Sequence, residues 1–109
     1  MSSFDQFDVT PSEVQQARER GDAFTLLDVR EPFELAIARV ADAVAIPMND
    51  IPARVGELDS ALPVVCLCHH GGRSTRVALW LRSRGFTTHN VEGGIEAWAT
   101  TVDPSLARY

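Results

Sequence analysis

The residues with the greatest capacity for chemistry stand together in Cys68-His69-His70-Gly71-Gly72-Arg73-Ser74. A thiol opens the segment, two adjacent glycines sit at its centre, and an arginine and a serine close it. Glycines let the backbone turn tightly and aim successive N–H groups inward, and a helix starting directly afterwards adds the positive end of its dipole. Such a cradle favours a thiolate, the form in which cysteine acts as a nucleophile, without an adjacent general base. The planar donor fork of arginine suits the oxygens of an anion. The segment therefore predicts Cys68 as a nucleophile in an anion-binding loop, with His69, His70, Gly71, Gly72, Arg73 and Ser74 around the substrate.

Cys66 is the only other cysteine. Two positions away on a strand it shares the face of Cys68, and its apolar neighbours predict an inert core residue rather than a resolving thiol. A bridge between the two would close a strained, tiny loop, so both read as free thiols of a reducing compartment. Cys66, Cys68, His69 and His70 lack the separated ligand pairs of a structural zinc site, and adjacent histidines are expected to diverge in direction. No metal and no cofactor is assigned.

The elements that must position the loop follow from local patterns. Pro63-Val64-Val65-Cys66-Leu67 is apolar on both faces, as central parallel strands are. Residues 73–84 form the best amphipathic helix, ended by Gly85. Thr10 with Pro11 and Glu13 reads as a capped helix start and Gly21 as its stop. Further strands are expected at Phe7–Val9, Phe24–Val29, Val44–Ile46 and Thr88–Val91, and helices at Glu31–Ile37 and Asn49–Leu58, the latter capped by Asn49 or Asp50. Ile95–Ala99 reads as a final helical turn. Strands alternating with helices along residues 1–109, with no linker or repeat, indicate a single α/β domain: a mainly parallel sheet of about five strands with helices on both faces. Ligands of such sheets lie beyond the carboxyl ends of the strands, which also brings Asp28 and Arg30 to the site as an ion pair anchoring a neighbouring loop.

Composition narrows the classes of partner. Hydrophobic residues make up 45% and charged residues 23% of the 109, an ordinary balance for a soluble globular chain. The net charge of −5 argues against nucleic acid or an anionic membrane surface as a bulk partner. No apolar stretch approaches the length needed to span a bilayer, and Met1 to Asp8 lacks the basic and apolar regions of a signal peptide, which predicts a cytoplasmic protein.

With these residues in view, the chain resembles the rhodanese (thiosulfate sulfurtransferase) family in single-domain form. The loop is similar to that family's active-site loop, and residues 26–34, Leu-Leu-Asp-Val-Arg-Glu-Pro-Phe-Glu, to its acidic-basic motif after an early strand. Ile46-Pro47 and the run from Val91 through Glu92-Gly93-Gly94-Ile95-Glu96-Ala97 to Trp98 match as well, in the same order. The resemblance implies that Cys68 takes a sulfur from a small anionic donor such as thiosulfate, holds it as a persulfide, and passes it to cyanide, a thiol or an acceptor protein. The N–H groups from His69 through Ser74 would cradle that sulfur, and Arg73 would bind the anionic end of the donor. His69 stands where many members carry arginine, and Ala38-Arg39-Val40-Ala41-Asp42-Ala43 replaces a frequent glycine- and proline-bearing segment. The tail, residues 102–109, is assigned no chemistry.

Three other functions compete. Cysteine phosphatases and arsenate reductases use a loop with one more residue between cysteine and arginine, whereas here only His69, His70, Gly71 and Gly72 intervene. A shorter loop makes a smaller cradle, suited to one sulfur rather than a tetrahedral oxyanion. Non-catalytic rhodanese-like binding modules usually lack the cysteine. A persulfide carrier for a partner pathway would use the same residues as the enzyme.

Overall fold

The computed structural model describes residues 3–109; Met1 and Ser2, the start of the segment inspected above for a leader, lie outside the described residues. Five strands form one sheet: β1 (Asp8–Val9), β2 (Thr25–Asp28), β3 (Val44–Ala45), β4 (Val64–Leu67) and β5 (Thr88–Val91). Their spatial order is β1-β5-β4-β2-β3, and every pairing is parallel. The helices are α1 (Pro11–Glu19), α2 (Pro32–Ile37), α3 (Ile51–Arg54), α4 (Gly72–Ser83) and α5 (Gly94–Thr101).

Strand alternation sorts the core into two halves. Val65 and Leu67 pack with Leu26, Val14, Ile95 and Trp98 on the α1–α5 side. Val64, Cys66 and Cys68 pack with Leu27, Ile51, Val77 and Leu81 on the α3–α4 side. Helices thus cover both faces of an α/β parallel sheet, with β4 wholly buried at its centre. Chain leaving β2 runs to one side of the sheet, through α2 to Ala38 and Val40, while chain leaving β4 crosses to the other through α4. This divergence opens a crevice between the carboxyl ends of β2 and β4, the place where ligands of such sheets bind.

The first helix starts as its residues dictate. Glu13 N–H donates to Thr10 Oγ1 at 3.1 Å, Thr10 N–H donates to Glu13 Oε1 at 3.2 Å, and Pro11 fills the first helical position. The helix expected over Asn49–Leu58 is instead broken into a 3-10 turn (Met48–Asp50), the short α3 and a second 3-10 turn (Val55–Glu57). Pro52 lacks an N–H and belongs in a first turn, and Gly56 is a poor helix former four residues later. Asp50 takes the N-cap position of α3 with no side-chain capping bond, contrary to the expected cap. The final helix is longer than the single turn expected, eight residues instead of five. No helix among the described residues is long and apolar enough to cross a membrane.

Candidate active site

Cys68 follows β4 directly and is 1% exposed. Gly71 donates its N–H to Cys68 Sγ at 3.1 Å, and Ser74 Oγ lies 3.2 Å from the same sulfur. Aiming the Gly71 N–H back at the thiol requires φ +116°, a conformation that side-chain-bearing residues avoid. Gly71 is also the N-cap of α4, so the amides of Gly72, Arg73 and Ser74 in the helix's first turn lack intrahelical acceptors.

The carbonyls of the loop are taken up elsewhere. Ile95 N–H donates to Cys68 O at 2.8 Å and Glu96 N–H to His69 O at 3.2 Å, so the first turn of α5 caps the loop from behind. Gly94, with φ +61°, passes so close that a Cβ there would stand 2.5 Å from the Cys68 carbonyl oxygen and collide with that of His69. The turn expected from Gly93-Gly94 is therefore a part of the site's wall.

Ser74 is fully buried, and its single hydroxyl is 2.5 Å from Asn90 Oδ1 as well as near the sulfur. Asn90 Nδ2 in turn donates to Asp8 Oδ1 at 3.1 Å. A chain of polar contacts thus runs from the edge strand through β5 to the thiol, and it fixes which way the Asn90 amide faces, since its oxygen turned toward Asp8 would meet a carboxylate.

Arg73, the residue assigned to the anionic end of a donor, donates from Nη1 and Nη2 to the two carboxylate oxygens of Glu34 at 2.5 and 2.8 Å, which leaves three of the five guanidinium N–H groups for other partners. Glu34 is buried on α2, and the Arg73 hydrogen bonds hold its carboxyl down at about 2 against the opposing effect of burial, with a further contribution from Tyr109. The same bonds push the Arg73 guanidinium upward.

Asp28 and Arg30 form the expected pair. Arg30 Nε and Nη2 grip the Asp28 carboxylate at 2.7–3.1 Å, with both side chains buried. Burial alone would lower the Arg30 pKa, but the bonds to Asp28 and Tyr109 outweigh it and raise it. Arg30 also donates to the carbonyls of Glu34 and Ala38 at 3.3 and 2.8 Å, so it braces the segment that delivers Glu34 to Arg73 without touching the thiol.

His69 and His70 do not diverge as expected. Their rings stack with centroids 3.9 Å apart, and His69 also stacks on Tyr109 at 3.8 Å and 12°. His69 is thus sandwiched, with Nε2 buried and without a hydrogen-bond partner among the described residues. Cys66 is fully buried, and that burial, reinforced by the nearness of Cys68, pushes its thiol up to about 12, as befits a core residue. His89 is buried too, with Nδ1 2.6 Å from Gln6 O.

The structure therefore gathers the whole predicted loop around Cys68 and sets Asp28 and Arg30 behind it. Sequence reasoning missed Glu34, Asn90, Asp8 and Tyr109. Asn90 carried a signal, because an amide inside an interior strand needs a buried partner. Glu34 lay within a motif already singled out, but nothing local tied it to Arg73. Tyr109 carried none.

A parallel α/β sheet with a buried cysteine in a glycine-turned loop at its switch point defines a thiol-centred anion-loop protein. The family model described as "Rhodanese-like domain" matches residues 10–101, and the chain belongs to that family. It is 36% identical to "Putative sulfurtransferase YtwF" of Bacillus subtilis (strain 168), an alignment covering 89% of this chain and 94% of that protein. It is 34% identical to "Thiosulfate sulfurtransferase GlpE" of Pseudomonas syringae pv. syringae, covering 85% and 87%. A chloroplastic "Rhodanese-like/PpiC domain-containing protein 12" of Arabidopsis thaliana is 39% identical over 81% of this chain, which spans only 31% of that protein's length. Among solved structures, a rhodanese-like domain protein from Staphylococcus aureus superposes with a TM-score of 0.83 at 28% identity, covering 95% of this chain and 99% of that one.

Proposed function

We propose that this chain is a sulfurtransferase that uses Cys68 to carry one sulfur atom from a small anionic donor, with thiosulfate the donor of first choice, to a nucleophilic acceptor. The observation that carries the reading is the convergence of the Gly71 N–H and the Ser74 hydroxyl on Cys68 Sγ, backed by the first-turn amides of α4. Two relatives of similar length bear the name sulfurtransferase, and one of them names thiosulfate.

In the first step the Cys68 thiolate attacks the outer sulfur of thiosulfate, the S–S bond of the donor breaks with its electron pair going to sulfite, and Cys68–S–S⁻ remains. The terminal sulfur then occupies the ring of amides, where fixed donors stabilise its charge. The three uncommitted N–H groups of Arg73 supply the positive rim for the sulfonate end, while Glu34 keeps that side chain in one place. In the second step cyanide, or a thiolate, attacks the terminal sulfur and the Cys68 thiolate leaves, giving thiocyanate or an acceptor persulfide. The acceptor in the cell is a thiol, free or on a protein, and two free cysteines suit a reducing, cytoplasmic setting.

Intact-mass measurement after exposure to thiosulfate tests this directly. One added sulfur is expected on the wild type, removable by cyanide and absent from Cys68→Ser. A chain that gains no sulfur belongs with the binding modules of the same fold. Turnover of an aryl phosphate, absent from Cys68→Ser, would favour the phosphatase reading instead.

A further inference from the structure

We propose that Tyr109 is a specificity-determining residue for the acceptor step: its ring walls the mouth above Cys68, admits slender nucleophiles and holds back bulky ones. The inference rests on the sulfur-transfer reading for its meaning, but the wall itself is a matter of geometry.

The tail returns from α5 across the site on fixed points. Leu106 packs against the core cluster that holds Trp98, Asp103 closes a turn onto the Ser105 amide at 3.1 Å, and Arg108 pairs with Glu96 on α5. This delivers Tyr109 to the loop. Its ring lies flat on His69, the residue directly after the nucleophile, and His69 lies flat on His70. Its hydroxyl donates to Glu34 Oε2 at 2.7 Å and accepts from Arg30 Nη1 at 3.0 Å. Burial pushes the phenol up, and although Arg30 opposes this, Glu34 adds to it, so the hydroxyl keeps the proton that its donation to a carboxylate requires.

One side chain therefore touches His69, the carboxylate that tethers Arg73, and the arginine that braces the loop. Cys68 is 1% exposed at the carboxyl end of β4, and Tyr109 joins His69 of its loop to Arg30 and Glu34 after β2, so the ring spans the opening between the two strand ends. Tyr109 abuts His69 itself and the Glu34 partner of Arg73, which stiffens two sides of that opening. A linear ion or a thiol on a thin stem passes with the ring in place. A bulky acceptor requires the ring to lift, which forfeits an aromatic stack and a charge-assisted hydrogen bond, a bias toward the closed form on the order of 10- to 100-fold.

The test is alkylation of Cys68 in the full chain by a small reagent, iodoacetamide, and a bulky one, N-pyrenylmaleimide, with rates read at that residue by peptide mass. The ratio of the bulky to the small rate is expected to rise about tenfold in Tyr109→Ala. It should rise less in Tyr109→Phe, which keeps the ring on His69. An alanine ratio equal to wild type, or a phenylalanine ratio as high as that of alanine, overturns the proposal. Alkylation involves no sulfur transfer, so the wall stands or falls here independently of whether thiosulfate loads the thiol. On the sulfur-loaded chain, the ratio of unloading by glutathione to unloading by cyanide is expected to follow the same order of variants.

Discussion

Ile95 donates its backbone N–H to the carbonyl oxygen of Cys68 at 2.8 Å, while the sulfur of the same cysteine accepts from Gly71 at 3.1 Å. The two bonds sort the loop by polarity, with carbonyls turned back to α5 and donors turned in toward the thiol. Helix α5 is thus as much a part of the cradle as α4, although it contributes no atom to it.

That arrangement depends on the absence of a side chain at Gly94. Replacing it with alanine imposes both an unfavourable φ and a collision with two carbonyls, and is expected to cost more than about 2 kcal/mol in urea denaturation. Loading of Cys68 from thiosulfate should slow in parallel. Gly56 is the matched control: a Cβ there meets nothing within 4 Å, so Gly56→Ala should be neutral or stabilising by about 0.5 kcal/mol.

Ser74 places the only side-chain hydroxyl near the sulfur among the described residues, at 3.2 Å, and divides its one proton between Cys68 Sγ and Asn90 Oδ1. A full hydrogen bond to a charged group contributes about 1.5–3 kcal/mol and a divided one less, so Ser74→Ala should slow single-turnover persulfide formation by about 10-fold. Stopped-flow mixing with thiosulfate measures it, and an undiminished rate would remove the hydroxyl from the chemistry.

Glu34 titrates at about 2 in the folded chain against an ordinary 4.5, chiefly because of Arg73. A folded value below the unfolded one means that protonation favours unfolding. The stability contributed by the pair is complete above about pH 4.5 and drains away as the pH falls toward 2, by on the order of 3 kcal/mol in all. Denaturant midpoints followed across this window should drop steeply for the wild type and less so for Glu34→Gln, which lacks the ion pair throughout. Parallel curves would contradict the assignment.

Cys66 should be inert in the native state. With its thiol pushed up to about 12 by burial, it is expected to resist iodoacetamide near pH 8, where Cys68 reacts, and to become reactive only in denaturant. Cys66→Ser should retain sulfur transfer while losing about 1–2 kcal/mol of stability, because a hydroxyl replaces sulfur in an apolar core. Loss of transfer in a folded Cys66→Ser chain would give the second thiol a chemical role.

How much of this was legible in the sequence varies with the range of the interaction. The loop, the central strand and the capped first helix depend on neighbours a few residues apart, and they appear where the residue pattern puts them. The helix expected at Asn49–Leu58 fails because Pro52 and Gly56 weigh more than the apolar spacing. Arg73 shows the other limit. Its place at the end of the loop was plain, but its grip on Glu34, 39 residues away, follows from strand order, which no local pattern encodes. Tyr109 is the extreme case, the only tyrosine, in a tail without periodicity, brought to Glu34 across 75 residues.

The strand lengths have a consequence for how crowded molecules behave. Both edge strands, β1 and β3, are two residues long, against four in each interior strand. So brief a border offers almost no free ladder to a second molecule, which closes the usual route by which sheets join into aggregates. The Val-Val-Cys-Leu segment, apolar and rich in β-branched residues, is the kind that stacks into fibrils when bared, and it lies at the centre of the sheet, two strands in from either border. The strand that leads into the reactive thiol is thus also the one best shielded from intermolecular pairing.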